Sequence, residues 1–211
     1  MALIDTITLD VADLPAAKRF YSNAFGLDTP IRLRASEAPT TGFRGFTLSL
    51  TVSQPGTVDN LVASALDAGA TTLKPVSKSF WGYGGVVRAP DGTIWKVATS
   101  AKKNTGPATR EVDDIVLLLG AEDVAASKRF YLDQGLTVAK SFGRTYVEFA
   151  TGSSPITLGL YRRRALAKAA GVSPEGTGSH RITIGGAGTF TDPDGFAWEA
   201  TASRPQLGIS L

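Results

Sequence analysis

Few side chains in this 211-residue sequence are of a type that does chemistry unaided. There is no cysteine, which removes thiolate nucleophiles, thiolate metal sites and disulfides. His180 is the single histidine, and no Gly-x-Ser-x-Gly elbow accompanies it, so a serine hydrolase triad has no footing. General acid–base work would fall to Asp114, Glu148 or Glu199, provided burial raised the carboxyl pKa. A glutamate on an alternating strand is otherwise a solvent-facing residue. Phe80, Trp81 and Tyr83 crowd one glycine-rich stretch, FWGYGG. They either wall an apolar pocket for a planar ligand or staple the loop to a sheet. Tyr161 and Arg162 close a strand and could offer hydrogen bonds to such a ligand at a rim. The glycines of 185–188 lead into a strand rather than a helix, so they make no phosphate cradle.

Bulk composition narrows the classes further. Hydrophobic content of 43% and charged content of 19% are those of an ordinary globular protein with ample core. No run of about 18 apolar residues is present, which predicts no membrane span. Acidic residues and no basic start within the first ten positions argue against a signal peptide, and a cytoplasmic address is expected. Net charge is +3, with Arg162, Arg163 and Arg164 as the one basic cluster. Nucleic-acid binding would need a broader basic face with interleaved aromatics.

The elements that must position these residues come in two sets. Residues 88–100 read RAPDGTIWKVATS and residues 191–203 read TDPDGFAWEATAS. Upstream of each stands a second matched block, DLPAAKRFY at 13–21 and DVAASKRFY at 123–131. Two blocks in the same order mean an internal duplication. Each second block reads as a capped helix after a strand: 4–11 then Asp13, and 112–119 then Asp123. Further strands are expected at 46–52, 145–151, 156–161 and 180–186, with helices at 58–68 and 164–170. Each PDG is a tight turn. Residues 1–100 form the first half, 101–111 a polar linker, 112–204 the second half and 205–211 a tail. The first half has no room for a hairpin like 145–161, and the second has no helix like 58–68. Each kept what the other lost. Trp95 and Trp198 are expected in the core, so their charged neighbours, Lys96 and Glu199, face the other way.

A strand, then Asp13-Leu14…Phe20-Tyr21, then Pro90-Asp91-Gly92…Trp95 resembles the vicinal oxygen chelate superfamily. That group includes glyoxalase I, extradiol dioxygenases and bleomycin-resistance proteins. Asp123-Val124…Phe130-Tyr131 and Asp192-Pro193-Asp194-Gly195…Trp198-Glu199 repeat the pattern, and FWGYGG resembles a stretch of small glyoxalase-like proteins. The resemblance implies an α+β fold of paired βαβββ modules forming cup-shaped mixed sheets. The halves are then tandem glyoxalase-like units, each partly truncated. It also implies that a ligand sits in the cup, and that metal-using members place ligands on the first and last strands of each module.

Those positions carry Thr6 and Asp114 on first strands, Lys96 and Glu199 on last strands, and Thr47 and Arg181 at the start of the middle strands. A protonated lysine repels a cation and donates no lone pair. The favoured reading is therefore a protein that binds a small apolar or aromatic molecule in its cup, with no metal and no other cofactor. Phe80, Trp81, Tyr83, Lys96, Tyr161 and Arg162 are the expected ligand contacts. The alternative is a divalent-metal-dependent lyase, isomerase or dioxygenase using Asp114, His180 and Glu199 in the second half, with Asp114 and Glu199 as the candidate catalytic groups. A third reading is a homodimer that pairs through sheet edges exposed by the missing pieces.

Overall fold

The computed structural model of the chain describes residues 4–27, 30–80, 82–186 and 188–201. Trp81 and the tail at 205–211 lie outside them. Strand β1 (Ile4–Val11) turns Ile7, Leu9 and Val11 inward. Asp13 then caps α1 (Leu14–Phe25), accepting from the Ala16 amide at 2.8 Å, and Gly26 ends the helix at φ 65°. Strand β2 (Ile31–Ala35) returns parallel to β1. After the short β3 (Thr40–Gly42) come β4 (Phe46–Thr51), α2 (Pro55–Asp67), β5 (Thr71–Ser79), β6 (Gly82–Arg88) and β7 (Ile94–Thr99).

The second half opens as the first does. Strand β8 (Asp114–Ala121) leads to Asp123, which accepts from the Ala125 and Ala126 amides and starts α3 (Val124–Asp133). Strands β9 (Val138–Phe142), β10 (Tyr146–Phe149) and β11 (Ile156–Arg162) follow, then α4 (Arg163–Ala170). The chain continues through β12 (Gly176–Gly178), β13 (Ile182–Gly186), β14 (Phe190–Thr191) and β15 (Ala197–Ala200).

Two large sheets result, and each draws strands from both halves. The eight-stranded sheet runs β5-β6-β7-β4-β8-β11-β10-β9. It joins one whole βαβββ module, 46–99, to a second, 114–162, through the antiparallel pair β4–β8. In each module the first strand lies parallel to the last. The five-stranded sheet, β14-β15-β13-β1-β2, joins the two eroded modules through β1–β13 in the same antiparallel manner. Thus each half holds one whole and one eroded module, and the whole ones pair with each other. Strands β3 and β12 form a separate two-stranded ribbon.

One continuous core lies between the sheets. It takes the apolar faces of both sheets and the buried stripes of α1, α2 and α3. Trp95 and Trp198 are 0% and 1% exposed within it, so both tryptophans pack under helices. Helix α4 is the exception among the helices. Its Leu166, Ala167 and Ala170 pack on Val86, Ile94 and Phe43, with Leu118 and Tyr161 alongside, on the far face of the eight-stranded sheet. A buried leucine at such a contact contributes about 2 kcal/mol. Gly171 ends α4 at φ 79°, and the Lys74 ammonium donates to the Lys168 carbonyl at 2.8 Å, a cation at the negative end of the helix.

Candidate functional site

Strand alternation fixes what the cup presents. Because Trp95 points to the helices, Lys96 points to the opposite, cup face. Register then sets its neighbours. Lys96 lies opposite Val86 on β6 and Ser49 on β4. Ser49 lies opposite Val116 on β8, and Val116 opposite Thr157 on β11. The next row holds Gly84, Ala98, Thr51 and Asp114. On the other side, Ile94 and Leu118 lie beneath α4. The open part of the floor is therefore Lys96, Ser49, Val116 and Thr157, bordered by Ala98, Thr51 and Asp114.

The floor is electrically lopsided. On the β5–β7 wing, burial and then the nearby Lys74 ammonium push the Lys96 pKa below its ordinary value. The Lys96 side chain is exposed to solvent. Among the described residues it has no hydrogen-bond or ion-pair partner. On the β8–β10 wing, burial pushes the Asp114 carboxyl up, against a lowering hydrogen bond from the Thr157 hydroxyl. Burial also raises Glu148, but the Tyr146 hydroxyl at 2.7 Å and the Lys140 ammonium at 3.0 Å outweigh it and hold the carboxyl low.

The other expected site residues are scattered. Tyr161 does face the cup, edge-on to Tyr146 at 6.0 Å, but it is packed beside α4. Arg162 is exposed at the start of α4. Tyr83 donates to Asp59 of α2 at 2.8 Å, so it staples β6 to the helix layer instead of walling the cup. Phe80 is 84% exposed. Glu199 lies on the outer face of the five-stranded sheet, 3.4 Å from Arg34, which also grips Asp10 at 2.7 Å. His180 stacks on Phe196 with ring centroids 4.1 Å apart, and its ring nitrogens meet the backbone carbonyls of Arg44 and Asp194. Asp114, His180 and Glu199 therefore do not converge. Among the described residues no three His, Asp or Glu side chains gather as a metal site would require, and the donor set does not fit a divalent ion.

Register also corrects two positional equivalences. Leu48 pairs with Trp95 as Ile184 pairs with Trp198. The counterpart of Thr47 is thus Thr183, and that of Arg181 is Gly45. Both Gly45 and Arg181 have positive φ, 84° and 53°, Arg181 being the one such non-glycine among the described residues. Likewise Leu117 faces Leu48 as Ile7 faces Ile184, so Val116, two residues beyond Asp114, matches Thr6. The same logic pairs Arg44 with His180. Arg44 donates to the Asp91 carbonyl of the first PDG turn, and His180 meets the Asp194 carbonyl of the second. Sequence reasoning missed this turn clamp because arginine and histidine share no obvious role.

A second duplicated device ties helix to turn. Tyr21 donates to Asp91 at 2.8 Å and accepts from the Trp95 indole at 3.4 Å. Tyr131 donates to Asp192 at 2.6 Å and accepts from Trp198 at 3.2 Å. The motif residues Asp91, Tyr21 and Trp95 are thus spent on architecture.

No protein-family model matches the sequence, and no curated protein does. Solved structures do. A variant of glyoxalase I from Zea mays is 15% identical, with a TM-score of 0.60 over 95% of this chain and 92% of that one. A second variant of the same enzyme gives 0.61 at 14% identity, over 94% and 93%. A putative dioxygenase from Bacillus subtilis gives 0.55 at 13% identity, over 92% of this chain and 71% of that one. The chain shares the α+β fold of these glyoxalase I and dioxygenase structures, with four helices among the described residues and large mixed sheets.

Proposed function

We propose that this protein binds a small organic anion in the open part of its eight-stranded cup, without a metal. Lys96 carries the reading: an ammonium without a partner among the described residues, on the face of the sheet opposite the helices, with a second ammonium nearby. A carboxylate there would offset the desolvation and the repulsion from Lys74 together. Val116 and Ala98 offer apolar surface to the body of the ligand, while Ser49 and Thr51 offer hydroxyls. The sequence pointed to an apolar or aromatic molecule; this lining adds an acidic group to it.

Elemental analysis beside a thermal-shift series tests the reading. The purified protein should retain no stoichiometric divalent metal, and glycolate or benzoate should raise its Tm by mass action. Lys96→Met should abolish that rise. Tight stoichiometric metal in the purified protein, or an equal rise in Lys96→Met, would overturn it.

A further inference from the structure

Lys96 is placed for more than ion pairing. Lys74, its cationic neighbour, is committed to the Lys168 carbonyl at 2.8 Å. Among the described residues Lys96 has no such commitment, and it projects from the middle of a strand held on both sides by β4 and β6. Its backbone is held in the sheet, Val86, buried under α4, separates it from Lys74 in one cross-strand row, and the open floor on its other side carries Ser49 and Val116. Building on the binding role proposed above, we infer that Lys96 forms a reversible imine with a small aldehyde or ketone that carries an acidic group.

The chemistry closes without a cofactor. The neutral Lys96 Nζ adds its lone pair to the carbonyl carbon, and the C=O π pair goes to oxygen, which takes a proton. The resulting carbinolamine loses water as the C=N bond forms and the nitrogen gives up its remaining proton. The balance is amine plus carbonyl to imine plus water, with no change of oxidation state. An amine is nucleophilic only when unprotonated, and both burial and a neighbouring cation favour that form here. The Lys74 ammonium would meanwhile hold the acidic group of the same molecule.

Glyoxylate with cyanoborohydride tests this on the intact wild-type protein at neutral pH, since the reductant converts an imine into a stable secondary amine. Peptide mapping by mass spectrometry then reads which lysine carries the label. Lys96 should be labelled several-fold faster than the median of the other lysines. Glycolate, which has the acid but no carbonyl, should slow that labelling in competition. Uniform labelling of all lysines overturns the imine even if glycolate still raises Tm, which leaves the binding role standing. Uniform labelling with no glycolate shift overturns both. Lys96→Arg, which keeps the positive charge, should lose the label at this position while retaining the glycolate shift; a retained label at the Lys96 rate on any other lysine would also overturn the assignment.

Discussion

Among the described residues the Tyr131 hydroxyl is the sole hydrogen-bond donor to one oxygen of a buried carboxylate. Asp192 Oδ1 accepts from the amides of Asp194 and Phe196, but Oδ2 accepts from Tyr131 alone among the described residues. The related pair in the first half is better insured. Asp91 accepts from the Thr93 amide at 2.9 Å and the Thr93 hydroxyl at 3.1 Å as well as from Tyr21. Removing a hydroxyl that serves a charged group in the interior costs about 1.5–3 kcal/mol, and more when the partner is left with nothing. Tyr131→Phe is therefore expected to lower stability by about 2–3 kcal/mol, and Tyr21→Phe by less, about 1 kcal/mol. Urea denaturation of both variants checks the order; equal losses would mean that the two copies of the device carry equal weight. At this scale the sequence was only partly readable. The Asp, Tyr and Trp types stand out in it, but which Asp each Tyr reaches depends on turn geometry, and the second copy uses Asp192 where the first uses Asp91.

At the scale of elements, α4 decides how much of the cup is open. Its apolar stripe was visible in RALAKAA, but an amphipathic pattern says only that one face is buried, not which sheet face receives it. The structure seats that stripe over Ile94 and Leu118. Leu166, 2% exposed, is the largest side chain α4 buries there. Leu166→Ala is expected to cost about 2–3 kcal/mol and to loosen α4 from the sheet. Hydrogen exchange should then show the amides of 166–170 opening well before those of β4 and β8; unchanged protection in α4 would mean that Lys74 and the Gly171 cap alone hold the helix. Edge strands show a second limit of legibility. Strand β9 is exposed at four of its five positions, and β2 carries Arg32 and Arg34 toward its outer face. Neither has the alternation that marks β4, or even the weak alternation of β1, since only one side of an edge meets a core. The capped helices and PDG turns, by contrast, depend on neighbours within a few residues, and those stood in the sequence in full.

For the whole molecule, the pairing of modules matters more than the boundary between halves. The duplication is compatible with two small lobes or with one composite domain that draws strands from both halves, each half missing what the other kept. The missing pieces are not complemented within a sheet. The two whole modules pair with each other, the two remnants pair with each other, and both pairings cross between halves through β4–β8 and β1–β13. Local patterns cannot reveal this, because strand partners 63 to 182 residues apart leave no periodic trace. The segment between the halves strengthens the crossing. Gln54 of the first half accepts from the amides of Thr105 and Gly106 and donates to the Pro107 carbonyl, while Arg110 donates to the carbonyls of Asn23 and Ala24. A break between Lys103 and Asn104 would leave all of these contacts intermolecular. Each fragment alone would expose one long edge of β4 or β8 and one side of a core built from both. Residues 1–103 and 104–211 expressed separately are therefore expected to lack a cooperative thermal transition by circular dichroism. Mixed at equal concentration they should recover one, at a Tm that rises with concentration because association now supplies what the covalent link supplied before. A cooperative transition in either fragment alone, at the Tm of the intact chain, would show instead that each half folds as a unit and that the shared sheets merely dock.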